Sequence, residues 1–128
     1  MAGYEVQAGT LYEDFETVGD FTIATGTAVN DTTFVKTGSN SLKLTTDAGA
    51  NATATKTISA DFSRAGLFYM WVYIPTLTNL NSVRLTLGSN SGLTNAYQRS
   101  YATGLHEGWN RLYFGKDVKD LDLAEAAF

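Results

Sequence analysis

The stretch NAYQRSYA, residues 95–102, alternates so that Tyr97, Arg99 and Tyr101 fall on one side of an extended chain. Two flat rings flanking a guanidinium suit stacking against a ring-shaped ligand whose polar groups the guanidinium fixes. Arg84, in SVRLTLG, joins them if the two strands are neighbours. Flat rings beside hydrogen-bonding side chains fit a sugar, so Arg84, Tyr97, Arg99 and Tyr101 are the candidate carbohydrate-binding residues. The same residue types also serve ordinary packing or subunit contact, because a β-sandwich needs aromatics in its core and at its strand ends. Trp71 and Trp109 read as core and corner packing.

Other reactive groups are few. Glu13, Asp14 and Glu16 lie close together, but on a strand Asp14 and Glu16 share a face while Glu13 points away. A two-carboxylate hydrolytic site would then need a distant second member. The single histidine, His106, sits in GLHEG between two strands and reads as a solvated turn residue. Absence of cysteine excludes thiol nucleophiles, disulfides and thiolate metal sites. These features predict a protein that is not an enzyme.

Charge and hydropathy narrow the partners. A net charge of -4 without any basic run lacks the footprint of phosphate-backbone binding, so nucleic acid is not an expected partner. The amino-terminal stretch MAGYEVQAGTLYEDFE lacks the charged and apolar regions of a secretion signal. No apolar stretch approaches the roughly 20 residues of a membrane span, so no membrane partner is expected.

Strands must position these groups. Threonine is the commonest residue, with 18 copies, and 12 glycines accompany it, which is strand-and-turn composition. Period-2 patterns predict strands near 10–16, 20–29, 32–36, 41–46, 52–59, 67–74, 82–88, 95–102 and 109–114, separated by turn signals at regular intervals. LFYMWVYI is apolar at both parities and reads as a central strand covered on both faces, stopped by Pro75. In SVRLTLG, Val83, Leu85 and Leu87 point to the core. VKTGSNSLKL forms a tight corner at Gly38 and Asn40, sending Leu42 and Leu44 inward. The tail 116–128 has helical spacing at Val118, Leu121, Ala124 and Phe128, which predicts a short C-terminal helix. Residues 1–9 read as an amino-terminal arm, and nothing divides the chain, so 1–128 reads as one domain.

The order DFE, TTFVKTGSNSLKL, LFYMWVYIP and EGWNRLYFG resembles the antiparallel jelly-roll β-sandwich of carbohydrate-binding modules and galactose-binding-like domains, which also occurs in phage tail, fibre and other virion proteins. The resemblance spans about residues 11–115. It implies an all-β fold, and a structural calcium with Glu16 as a side-chain ligand and the turn from Lys36 through Ser39 to Ser41 supplying carbonyls; otherwise no cofactor is expected. Such domains continue past the GWN strand and carry a further calcium-binding Asp there, which has no counterpart before Phe128. The fold is therefore expected to be incomplete at its C-terminus, as a fragment or as the amino-terminal module of a fibre. The implied function is a structural or attachment module of a phage-like virion: a fibre, tail or decoration protein that contacts other virion subunits as a homo-oligomer. The alternative is a module that recognises a cell-surface or polysaccharide glycan. Either places the protein on a virion or outside the cell.

Overall fold

The computed structural model describes residues 11–59, 67–89 and 96–114. These form eight strands, all paired antiparallel, and one 3-10 turn, Val18–Asp20. The amino-terminal arm 1–9 and the expected C-terminal helix lie outside the described residues. The chain falls into two compact units, Met1–Ile58 and Ser59–Phe128.

In the first unit, β1 (Thr22–Thr25) pairs with β4 (Thr53–Thr55), and β2 (Thr27–Asp31) pairs with β3 (Ser41–Thr45). The single strand expected over 20–29 is broken at Gly26. That residue has φ +74°, and a Cβ there would lie 2.5 Å from the Thr45 carbonyl oxygen and 2.8 Å from the Ala52 Cβ. Only glycine accommodates both the left-handed backbone and the close approach.

Two other expected strands are absent for one physical reason. Over 11–17 the Glu13 carboxylate accepts the Phe15 N–H at 2.7 Å, and the Asp14 carboxylate accepts the Glu16 N–H at 3.0 Å. Over 32–36 the Asp31 carboxylate accepts the Thr33 N–H at 2.7 Å. Short acidic side chains take the backbone donors two residues on, and the chain turns instead of joining a ladder. Phe15 is thereby held at φ 60° with its ring stacked 5.7 Å from that of Phe21. Of the expected strand 52–59, only Thr53–Thr55 pairs.

Lys56 closes this region. Its ammonium lies 2.5 Å from Glu13 Oε2 and 3.0 Å from Asp20 Oδ2, and it sits 5.5 Å from the centre of the Phe21 ring. The hydrogen bond to Glu13, followed by that to Asp20, raises the Lys56 pKa. Leu42 is half-buried, but Leu44 is 42% exposed and does not point inward as its parity suggested.

In the second unit, β5 (Phe68–Ile74) pairs with β8 (Gly108–Phe114), and β6 (Val83–Gly88) pairs with β7 (Ala96–Tyr101). The buried apolar residues are Ile74, Leu85, Ala96 and Leu112. β5 ends at Ile74, immediately before Pro75, as expected. Among the described residues, however, it is not a central strand: it has one partner, β8, and one of its faces is open. Double-parity hydrophobicity had suggested two covered faces. Its cause is that one parity is aliphatic or Phe and the other is Tyr and Trp, whose polar tips tolerate water.

A buried asparagine sets the start of β8. Asn110, 3% exposed, accepts the His106 N–H through Oδ1 at 3.0 Å. Its Nδ2 donates to the carbonyls of His106 at 2.8 Å and Gly108 at 3.1 Å. The turn before β8 is thus closed by one amide that satisfies three backbone groups, which explains why a polar side chain is tolerated at a buried position.

Candidate functional site

The register of β6 and β7 decides the fate of the first candidate group. Val83, Leu85 and Leu87 stand opposite Tyr101, Arg99 and Tyr97, whereas Arg84 stands opposite Ser100. Directly opposed residues share a face, so Tyr97, Arg99 and Tyr101 lie together on the Leu85 face. Arg84 lies on the other face, exposed, with its Nε donating to the Ser100 hydroxyl at 3.1 Å. The four residues therefore do not form one site.

The three that do share a face are built into the unit. Leu85, at their centre, is 4% exposed, and the Nε of Arg99 is buried. The Arg99 guanidinium stacks 4.6 Å from the Tyr101 ring centre. The Tyr101 hydroxyl donates to the Tyr113 carbonyl at 2.6 Å and accepts the Tyr113 N–H at 2.8 Å. That hydroxyl ties β7 to the backbone of β8, and both its donor and one of its acceptor sites are engaged there.

An open aromatic surface does exist, on a different pair of strands. Across β5 and β8, Tyr69 faces Tyr113, Trp71 faces Arg111, and Tyr73 faces Trp109. All six project from the face opposite the buried Ile74, Asn110 and Leu112, because side chains alternate along each strand. Tyr69 is 48% exposed, Trp71 is 38% exposed, and Arg111 is exposed.

Ring contacts hold this surface in shape. The Tyr69 and Tyr113 rings lie 6.3 Å apart, and the Trp109 ring meets Tyr73 edge-on at 5.3 Å. Arg111 lies among them, its guanidinium 4.3 Å from the Tyr69 ring, 5.3 Å from Tyr113 and 6.0 Å from Trp71. Such contacts contribute about 0.5–1 kcal/mol each at exposed sites. Their larger effect is to keep the guanidinium over the platform. From Tyr69 to Tyr73 the strip runs about 13 Å at about 3.3 Å per residue.

Arithmetic on parity could have found this face. Tyr69, Trp71 and Tyr73 occupy one parity of LFYMWVYI and Phe68, Met70, Val72 and Ile74 the other. In WNRLYF, Trp109, Arg111 and Tyr113 alternate in the same way. The same pattern in β7 puts Arg99 on the Leu85 face, so parity shows that the aromatics share a face, and the pairing of distant segments was needed to tell which face is wet.

The corner at Gly38 was the other candidate, and the structure brings Glu16 to it. Glu16 Oε1 accepts the Ser39 N–H at 2.8 Å, and Oε2 accepts the Asn40 N–H at 3.1 Å. The Asn40 side-chain amide adds contacts of 3.4 Å to Oε2 and to the Glu16 carbonyl. Gly38 has φ +77°, and a Cβ there would overlap Glu16 Oε1. The turn thus offers the carboxylate its N–H donors, whereas the calcium assignment to Glu16, Lys36 and Ser39 requires carbonyls. Among the described residues, no group of three His, Cys, Asp or Glu side chains could share an ion. At this corner the described residues present N–H donors, not a shell of calcium ligands, to Glu16.

The other two acidic candidates are similarly engaged: Glu13 and Asp14 hold backbone donors, and Glu13 also pairs with Lys56. His106 is exposed in the turn before β8. Comparison of the chain with known protein families, with curated proteins and with solved structures finds no match.

Proposed function

We propose that this protein is a non-enzymatic attachment module of a phage-like particle, and that it engages carbohydrate through the Tyr69–Trp71–Arg111 face of β5 and β8. The observation that carries the reading is an open aromatic strip on one sheet face with a guanidinium at its centre. Sugar rings present apolar C–H faces that stack on such rings, while their hydroxyls take the donors around them. The jelly-roll sandwich belongs to this reading as its fold, supported by uniformly antiparallel strands and the resemblance of their order. A virion surface or extracellular location follows from the same reading.

A second reading, a structural virion subunit, is favoured by a different observation. Each sheet among the described residues has two strands, and two-stranded sheets are marginal alone. A neighbouring copy in a homo-oligomer would supply cover. The two readings separate on one pair of measurements: migration of the protein through native gels containing polysaccharide, and its mass by sedimentation. The attachment reading expects retardation that Trp71→Ala removes while circular dichroism stays unchanged. Indifference to every polysaccharide, together with a symmetric assembly that Trp71→Ala dissociates, would establish the structural reading instead.

A further inference from the structure

The polar chemistry of the β5–β8 face is one-sided. Its six side chains are Tyr69, Trp71, Tyr73, Trp109, Arg111 and Tyr113, and none is a carboxylate or a carboxamide. The indoles donate only, the guanidinium carries five donors and no acceptor, and the three phenol hydroxyls, which both donate and accept, are the only acceptors among the six side chains. Sites for neutral sugars need acceptors as well as donors, since every hydroxyl both gives and takes a hydrogen bond. A face that is rich in donors and carries a fixed positive charge matches a ring bearing a negative group.

Arg111 is placed for that role. It stands directly opposite Trp71 at the middle of the strip, exposed, with its guanidinium carbon 4.3 Å from the Tyr69 ring centre and 5.3 Å from that of Tyr113. Among the described residues no acidic side chain forms an ion pair with it; the recorded ion pairs belong to Lys56. A guanidinium fork matches a planar carboxylate through two parallel N–H···O bonds. The chain's net charge of -4 makes non-specific adhesion of a polyanion unfavourable, so binding of one requires a local cationic site.

Resting on the carbohydrate reading above, we infer that the ligand is an acidic polysaccharide whose sugar rings carry carboxylates, with a uronate carboxylate on the Arg111 fork and neighbouring rings on Trp71 and Tyr69. Single-stranded nucleic acid also combines rings with negative charge, but it needs a basic track along its backbone, which a face with one cation does not provide.

The test is isothermal titration of the full chain with polygalacturonate and with its methyl ester, which differ only in charge, and with a single-stranded oligonucleotide. Wild type, Arg111→Gln and Trp71→Ala are compared. The expected result is binding to polygalacturonate at least tenfold tighter than to the ester, a preference that Arg111→Gln erases, and loss of binding to both in Trp71→Ala. Equal binding of acid and ester, unchanged by Arg111→Gln, overturns the acidic-ligand inference and leaves the carbohydrate reading standing. Binding to neither polymer overturns the acidic-ligand inference, and tighter binding of the oligonucleotide overturns both.

Discussion

Gly38 and Glu16 are 22 positions apart in the chain, yet neither is intelligible alone. The left-handed backbone of Gly38 turns two N–H groups toward one carboxylate, and the missing Cβ leaves room for that carboxylate. Gly38→Ala is expected to lose about 1–2 kcal/mol from the backbone alone. Displacement of Glu16 adds to this, and urea unfolding of the variant measures the sum. Asp31 gives a second residue-scale prediction. The Thr33 N–H, which its carboxylate accepts, holds the Asp31 pKa below its ordinary value. A lowered carboxylate pKa stabilises the fold above about pH 4, and that contribution is lost as pH falls through the folded value. Thermal unfolding followed from about pH 6 to pH 2 should show a shallower acid-side decline in Asp31→Asn than in the wild type. The Gly-Ser-Asn corner was legible from its residue types. Its carboxylate partner was not, because that contact joins segments whose separation nothing local encodes.

At the scale of elements, acidic side chains that reach a backbone donor two residues on account for the two predicted strands that do not form. β5, β6, β7 and β8 match their expected spans to within a residue at either end. The stretches 11–16 and 32–36 alternate in the same way but contain or follow Glu13, Asp14 and Asp31, and they turn. Gly26 likewise divides one predicted strand into β1 and β2. The Tyr101 hydroxyl is the tie between β7 and β8, since it completes the N–H and the C=O of Tyr113. Tyr101→Phe leaves both backbone groups without it, and a loss of about 1–3 kcal/mol is expected. Amide exchange at Tyr113 should quicken in the same variant, which distinguishes loss of this tie from a general loosening.

At the scale of the whole molecule, an acidic protein is proposed to hold an acidic polymer through a single guanidinium. The salt dependence follows from that count. One released counterion implies a fall in affinity of about three- to fourfold between 50 and 200 mM salt, against roughly 10³–10⁵ for a binder with six to ten phosphate contacts. Titrations at both salt concentrations test this directly, and a steep dependence would point to an extended basic surface. The sequence by itself determined the β class, the stop at Pro75, the tight corner at Gly38 and the scarcity of nucleophiles, because each depends on residue type or on spacing along one segment. Only the tertiary structure decided which parity of each strand meets water. Register set Arg84 on the face away from Tyr97, Arg99 and Tyr101, placed those three, half-buried, beside Leu85, and assembled Tyr69, Trp71 and Arg111 into an open platform. The physical reason is that alternation creates two faces, while pairing between distant strands determines which face is covered.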